Sequence, residues 1–252
     1  MNGPVVVGVD GSSSGLAVVE TAALEAERRG TGLHLAHALA WAPARVRPGV
    51  PPWDPDGAGL RDRVNDSLRE AERHARKVAP NVTITSDVLM GDPVHVLEIE
   101  SRTASLTVVD GRRPAGLTGR LTSHGRCPLL VVRGRTVRHG PVVLADGTCA
   151  AAAEFAFAEA AERGADLLVL RTRADAVRRP LTGLRKKYPG VSVHDRRTRR
   201  RGGRALVEAS AGAQLVVIAT HHRALEMVPG SAGRTLVDRA HCPVAVVPGG
   251  KA

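Results

Sequence analysis

The 252-residue chain has few of the residue types that mark secreted, metal-binding or base-stacking proteins. Its three cysteines, Cys127, Cys149 and Cys242, are widely spaced and include no CxxC pair, which argues against a disulfide framework, a zinc site and a redox dithiol. We expect all three to be buried thiols. Aromatic residues make up 2% of the chain, so stacking platforms for single-stranded nucleic acid are nearly absent.

Membrane-spanning and catalytic patterns are also lacking. No apolar run approaches the roughly 18 residues that a membrane span needs, and the N-terminal "MNGPVVVGVDG" has strand-like residues where a signal peptide would carry a basic segment. We therefore expect a soluble cytoplasmic protein. Neither a GxxxxGK[ST] loop nor an HExxH motif occurs. The sequence predicts no enzyme activity beyond slow ATP hydrolysis at most.

Positive charge is concentrated in the second half of the chain. Residues 137–252 hold 19 basic and 10 acidic side chains, against 17 and 15 in residues 1–136, and lysine occurs only four times. The densest basic run is "DRRTRRRGGR", residues 195–204. It fits either a phosphate or nucleic-acid contact or a solvated loop in an arginine-rich protein. The scarcity of aromatic residues argues against nucleic acid as the main partner.

The two halves repeat one pattern. "GPVVVGVDGSSSG" begins at Gly3 and "GPVVLADGTC" begins at Gly140, and each is followed by an Ala-rich helical stretch that ends at Arg-Gly. The halves also close alike, with "GRCPLLVVRG" and "AHCPVAVVPG". Self-similarity over a whole domain length indicates two copies of one fold. We predict domains at 1–135 and 136–252.

Strands and helices alternate within each copy. The strands are predicted near 4–9, 32–38, 82–89, 105–109 and 128–133, and again near 141–145, 166–171, 190–195, 214–219 and 243–248. Their continuous apolar runs are typical of parallel sheets covered on both faces. The pattern predicts an α/β fold of two tandem, doubly wound, five-stranded parallel-sheet domains. Residues 41–57 are predicted to form a long surface loop and residues 134–140 a short interdomain linker.

Polar residues follow the first and fourth strands of each copy, where parallel sheets bind ligands. Asp10-Gly11-Ser12 and Asp146-Gly147 end the first strands. Each aspartate either accepts a hydrogen bond from a ligand or helps to cap the following helix. After the fourth strand of copy two, Gly230-Ser231-Ala232 reaches a helix N-terminus, where anions are favoured.

The chain resembles the universal stress proteins. The resemblance is carried by "VVVGVDGSSSG", by "VLMGDPVHVLEIESRTASLTVVD" and by the closing "CPLLVV" and "CPVAVV" strands. It implies an adenine-nucleotide α-hydrolase-like fold, often in tandem, that pairs through its last strand, within the chain and as a homodimer. It also implies a role in stress response and dormancy, with ATP or another adenine nucleotide, and Mg²⁺ only with that nucleotide, as ligand.

The loops depart from the ATP-binding members of that family, in which Gly, two residues, Gly, nine residues, Gly and then Ser or Thr follow the fourth strand. Asp110 and Ala219 stand at the first glycine, and Arg113 and His222 at the second. Copy two keeps Gly230-Ser231, but its segment from Ala219 to Gly230 is two residues shorter than the family spacing requires. The segment of copy one is shorter still. We therefore expect a nucleotide site more in copy two than in copy one, where Asp10, Gly11 and Ser12 remain as candidate nucleotide-binding residues. The alternative is that neither copy binds nucleotide and that the protein acts by dimerisation.

The adjacent His221 and His222 have no third metal ligand at a suitable spacing. His222 or Arg223 could instead contact a phosphate in place of the missing glycine. Both side chains are also compatible with an ordinary exposed loop.

Overall fold

The structure, a computed structural model, divides into two compact units, residues 1–109 and 110–252. It describes residues 3–39, 59–112, 115–133, 139–145, 148–171, 179–198, 202–220 and 231–249. The predicted loop at 41–57 and residues 134–138 of the predicted linker lie outside the described residues.

Strands and helices alternate in the first unit, as the sequence pattern predicts. The elements are β1 (Val5–Gly8), α1 (Ser13–Arg29), β2 (Leu33–Leu39), α2 (Leu60–Val78), β3 (Ile84–Met90), α3 (Pro93–Glu100) and β4 (Leu106–Asp110). The strand order is β3-β2-β1-β4 and every pairing is parallel. Val5 of β1 aligns with Leu33 on one side and with Leu106 on the other. Strand order therefore reverses between β1 and β4.

The second unit repeats this arrangement after one additional helix and strand. Its elements are α4 (Ala115–His124), β5 (Leu129–Val132), β6 (Val142–Ala145), α5 (Ala150–Arg163), β7 (Leu167–Arg171), α6 (Arg179–Lys187), β8 (Val193–Arg197), α7 (Gly202–Ser210), β9 (Leu215–Thr220), α8 (Ala232–Arg239) and β10 (Val244–Pro248). The strand order is β5-β10-β9-β6-β7-β8. The α/β fold with mostly parallel strands is confirmed.

The closing strands of the two sequence repeats pair with each other. β10 runs parallel to β9 on one edge and antiparallel to β5 on the other, with Ala245 aligned to Leu130. This pairing explains why α4 and β5, which belong to the first repeat by sequence, group with the second unit. The domain boundary at 135 stays a prediction about the repeats. A homodimer through the last strands also stays a prediction, and it would need another edge because both edges of β10 are paired.

The central strands are continuous and apolar, but the edge strands are not. Val5, Val7, Val142 and Leu144 are fully buried, because helices cover both faces of a parallel sheet. In contrast, β3 is mostly half-buried or exposed, and four of the five residues of β8 are exposed. The prediction of 190–195 for β8 is shifted toward the N-terminus because hydrophobicity marks Val191, whereas pairing with β7 begins at Val193.

The first helix of each repeat ends in the same way but begins differently. Gly30 and Gly164 close α1 and α5 in left-handed conformations, with φ of 60° and 58°, which confirms both as C-cap glycines. The N-caps differ, since Ser12 caps α1 with its side chain whereas Cys149 stands at the start of α5 without a side-chain cap bond. Cys127 and Cys242 are buried as expected, but Cys149 is only half-buried because it occupies this helix start.

A buried ion pair also recurs one turn before each C-cap. Glu25 pairs with Arg29 and, at 2.7 Å, with Arg28. At the same place in the second repeat Glu159 pairs with Arg163, and both side chains are at most 6% exposed. Both glutamates are 2% exposed, so the charge of each carboxylate needs the neighbouring guanidinium.

Arg163→Met should lower the free energy of unfolding by about 3 kcal/mol, because it removes the guanidinium that forms an ion pair with the buried Glu159 carboxylate. Urea unfolding followed by circular dichroism measures the change. Glu159→Leu combined with Arg163→Met should recover most of the loss, since it removes both charges. Arg76→Met, which breaks the exposed pair with Glu72, should cost less than about 0.5 kcal/mol. Equal losses for Arg76→Met and Arg163→Met would contradict this account.

Candidate functional site

The loop after β1 is held by a short chain of hydrogen bonds. The Asp10 carboxylate accepts from the backbone N–H of Ser12 at 3.0 Å and from its hydroxyl at 2.7 Å. The Ser12 hydroxyl oxygen in turn accepts from the N–H of Gly15 at 3.1 Å, which makes Ser12 the N-cap of α1. Asp10 therefore orients the capping serine, and the capping role that the sequence left open belongs to Ser12.

Two glycines let this loop pass close to its neighbours. Gly11 has φ of 73°, and a Cβ added there would lie 2.7 Å from the Ser67 hydroxyl of α2. A Cβ added at Gly15 would lie 2.7 Å from the Asp10 carboxylate. Side chains at these positions would push α2 and the carboxylate away, so Gly11 and Gly15 fix the shape of the loop.

A small cleft opens beside this loop on the α2 side. It measures about 180 Å³ and is lined by residues 9–13, by Leu16 and Val19 of α1, and by Ser67 and Glu70 of α2. Pockets that enclose a drug-sized ligand are typically about 300–1,000 Å³. The cleft is therefore large enough for part of a ligand, and its polar wall consists of hydroxyls and carboxylates. Sequence patterns did not identify Ser67 and Glu70, because they lie mid-helix among other polar residues.

His37 is a second residue that the sequence did not single out. It follows Ala36 at the end of β2, where the Ala36 carbonyl accepts from the N–H of Val9 at 2.9 Å. Burial lowers the pKa of His37, and its hydrogen bond with the Val9 backbone opposes that shift only in part. Its Nδ1 is buried without a partner in the described part of the chain. His37 is therefore neutral at pH 7, and it lies on β2 next to Val9, which leads from β1 into the Asp10 loop.

The letters "GSSSG" at residues 11–15 also fit the GxSxG pattern of a hydrolase nucleophile elbow. In the structure the central Ser13 is the exposed first residue of α1, and the left-handed residue is Gly11. Among the described residues no histidine is hydrogen-bonded to Ser13. The strand-to-helix turn provides the N-terminal cap of α1.

In the second unit, strand order reverses between β6 and β9. The end of β9 is anchored there, because the N–H of Gly249 donates to both the carbonyl and the hydroxyl of Thr220, at 3.0 and 3.1 Å. Ligands of parallel sheets bind beyond such reversal points. Asp146 and Gly147 after β6, and His222, Arg223 and Gly230 after β9, lie outside the described residues.

Ser231 stands at the start of α8 as predicted. Its hydroxyl oxygen accepts from the N–H of Arg234 at 3.1 Å, and its carbonyl accepts from the hydroxyl of Thr235 at 2.9 Å. A serine hydroxyl has one proton to donate besides the lone pairs that accept. Ser231 can therefore cap the helix and still donate to an anion. Ala232, the first residue of α8, is exposed beside it.

The corresponding segment after β4 is closed by its own side chains. The Asp110 carboxylate accepts from the backbone N–H of Arg112 at 2.9 Å and from its guanidinium at 3.0 Å. Gly111 is buried against β5, where an added Cβ would lie 2.8 Å from the Val131 side chain. Arg133 donates to the Gly111 carbonyl at 2.7 Å. Hydrogen bonds within the segment and to Arg133 thus hold it against β5; Arg113 lies outside the described residues.

The predicted site residues therefore fall into two groups. Asp10, Gly11 and Ser12 lie together in the cleft of the first unit, and Ser231 and Ala232 form the start of α8 in the second. Within the described ranges no three His, Cys, Asp or Glu side chains are arranged to hold a metal ion. No helix in those ranges is long and apolar enough to cross a membrane.

The sequence was compared with models of known protein families. A family model described as "Universal stress protein family" matches residues 1–133 and 173–248. The chain belongs to the universal stress protein family. One matched region lies in each sequence repeat, as expected for the tandem organisation inferred from self-similarity.

Curated universal stress proteins match along the whole chain. Universal stress protein Rv2623 of Mycobacterium tuberculosis is 29% identical, over 96% of this chain and 95% of that protein. Universal stress protein Rv1996 of the same organism is 30% identical, over 96% and 94%. The crystal structure of a universal stress protein from Archaeoglobus fulgidus aligns with a TM-score of 0.72 at 14% identity, over 100% of this chain and 98% of that one. That structure shares the fold.

His37→Gln should make stability less sensitive to acid. Because the folded-state pKa of His37 lies below its ordinary value of about 6.5, its neutral form stabilises the fold above that pH. The contribution is lost as pH falls from about 6.5 through the lowered folded pKa. Urea unfolding of the wild type from pH 7.5 to 4.5 should show this loss, and His37→Gln should show a smaller one. His95→Gln, at an exposed histidine, should decline like the wild type. Parallel pH profiles for wild type and His37→Gln would contradict this assignment.

Proposed function

We propose that the chain is a tandem binding and regulatory module of the stress response, with one adenine-nucleotide site, in its second repeat. Asp146 and Gly147 after β6, and His222, Arg223, Gly230, Ser231 and Ala232 around the start of α8, would form that site. ATP is the expected ligand, with Mg²⁺ only as its counterion. The chain itself would act by binding.

The observation that supports this proposal is the start of α8. It follows β9, a strand at the order reversal of the second unit, and it begins with a serine whose hydroxyl proton is not used by the cap. The free N–H groups of a helix start and the helix dipole favour phosphate. A donor hydroxyl beside them adds a hydrogen bond that is assisted by the phosphate charge.

A different role is favoured for the first repeat. Its loop after β4 is filled by the Asp110–Arg112 ion pair and by the packing of Gly111 on β5. Its cleft beside Asp10 is about 180 Å³, smaller than pockets that enclose whole ligands. We propose that this repeat binds no nucleotide and contributes stability and interaction surface. If the second repeat also lacks nucleotide, the whole chain is an interaction protein of this fold.

Calorimetric titration with ATP and AMP tests the site. We expect wild type to bind ATP, and Ser231→Ala to weaken binding on the order of tenfold because a charge-assisted hydrogen bond is lost. Ser231→Thr keeps both the hydroxyl and the cap and should bind normally. Ser12→Ala, which removes the capping serine of the first unit, is the matched control and should bind like wild type.

Two results would overturn the proposal. Absence of heat and of a thermal shift at millimolar ATP would leave the interaction protein as the function of both repeats. Weakening by Ser12→Ala with full binding by Ser231→Ala would move the site to the first unit. Thermal unfolding of each variant without ligand separates loss of the cap, about 1 kcal/mol, from loss of binding.

A further inference from the structure

A charge asymmetry distinguishes the outer edges of the two units. The segment from α6 through β8, residues 179–197, contains six basic residues and one acidic residue. The equivalent segment from α2 through β3, residues 60–90, contains six basic and five acidic residues. Both segments are a helix followed by an edge strand of the same fold. The fold therefore does not require the positive excess.

The first unit neutralises its arginines locally. Three pairs lie one turn apart on α2: Arg69–Asp66, Arg73–Glu70 and Arg76–Glu72. In the second unit Asp195 serves two arginines, Arg171 at 2.9 Å and Arg185 at 3.8 Å.

The remaining cations of the α6–β8 segment have few carboxylates near them. Lys187 reaches Glu154 on α5 at 2.5 Å. Lys186 and Arg196 form no ion pair with any residue that the structure describes. The surface therefore keeps a net positive charge after its own carboxylates are counted.

These cations lie along an accessible edge. Among the described strands β8 pairs only with β7. Arg196 and Arg197 are both exposed, and as consecutive strand residues they project from opposite faces of the sheet. The last turn of α6 lies beside the strand, because Arg185 reaches Asp195. We call the five exposed residues the basic rim: Arg185, Lys186, Lys187, Arg196 and Arg197.

The composition of the basic rim selects among anionic partners. The exposed large hydrophobic residues of the described chain are Val88, Met90 and Ile99, all in the first unit, so the rim has no apolar anchor for a bilayer. The nearby ring of Tyr188 packs on Phe157 with centroids 5.9 Å apart and lies 5.3 Å from the Lys187 ammonium, so among the described residues it is engaged with the protein itself. Guanidinium groups fit phosphate oxygens in a two-pronged geometry. A duplex backbone offers phosphates without requiring stacking.

Prevention of edge-to-edge pairing between sheets does not explain the excess by itself. Charge on an edge strand discourages such pairing, but either sign is sufficient. The edge strand β3 carries a single ionised residue, Asp87. The five positive charges of the basic rim exceed what is needed to discourage edge-to-edge pairing.

We propose that the basic rim binds the phosphate backbone of double-stranded nucleic acid without reading its sequence. The cations would each displace condensed counterions, so binding would weaken steeply with salt. The scarcity of aromatic residues argues against binding of single strands, but it does not affect binding to the phosphate backbone of a duplex. The proposal does not depend on the nucleotide site.

Fluorescence anisotropy with a labelled 24-base-pair DNA duplex of arbitrary sequence tests the proposal on the full chain. Lys186→Gln combined with Arg196→Gln removes two rim charges without unpairing a described carboxylate. The matched control, Lys77→Gln combined with Arg102→Gln, removes one lysine and one arginine from exposed positions of the first unit. Lys77 also lies in the last turn of its helix. Both variants lower the net charge equally.

We expect wild type to bind the duplex at 50 mM KCl. The rim variant should reduce the slope of log K against log [KCl] by about 2, and weaken binding on the order of tenfold at 100 mM, whereas the control should change little.

Equal loss in both variants would show attraction to net charge alone and overturn the proposal. Absence of duplex binding at 50 mM KCl would also overturn it. Tighter binding to polyglutamate or to anionic phosphatidylserine vesicles than to the duplex would assign the rim to another partner. Circular dichroism of both variants confirms that they fold.

Discussion

The antiparallel pairing of β5 with β10 is the contact on which the rest of the second unit depends. It places the closing strands of both sequence repeats side by side, with Val244 aligned to Val131 and Val246 to Leu129. These residues are at most 3% exposed, so each contributes buried apolar area as well as backbone hydrogen bonds. Because β9 occupies the other edge of β10, both edges of this closing strand are paired within the chain.

β5, the partner of β10, also holds the segment that follows β4. Gly111 packs against Val131 of β5, and Arg133, directly after β5, donates to the Gly111 carbonyl. The segment that would hold a phosphate in the first repeat is therefore tied to the closing strand. In the second repeat Ser231 caps the start of α8, and Thr220 anchors the end of the preceding strand.

Periodicity and repetition in the sequence were sufficient to predict the element order, both C-cap glycines and the helix start at Ser231. Central strands are apolar because both faces are covered, and that signal is strong. The edge strand β8 was displaced in the prediction because its pairing begins after the hydrophobic residue. The role of Asp10 is local, but the letters leave open which of the neighbouring polar residues caps the helix. The contact of Gly11 with Ser67 and the burial of His37 depend instead on distances between elements far apart in sequence. No local pattern contains that information.

The most direct test of the fold's central contact is an engineered disulfide between register partners. The variant carries Leu130→Cys and Ala245→Cys in a Cys149→Ser background. These two positions oppose each other in the antiparallel pair, with Cα atoms about 4.5–5.5 Å apart, a distance that a disulfide can bridge. On oxidation we predict a disulfide within one chain, seen on denaturing non-reducing gels as a monomer band at every protein concentration. Leu130→Cys with Val143→Cys, three strands apart in the sheet, should not cross-link. A covalent dimer as the main product of the first pair, or no disulfide at all, would contradict the account.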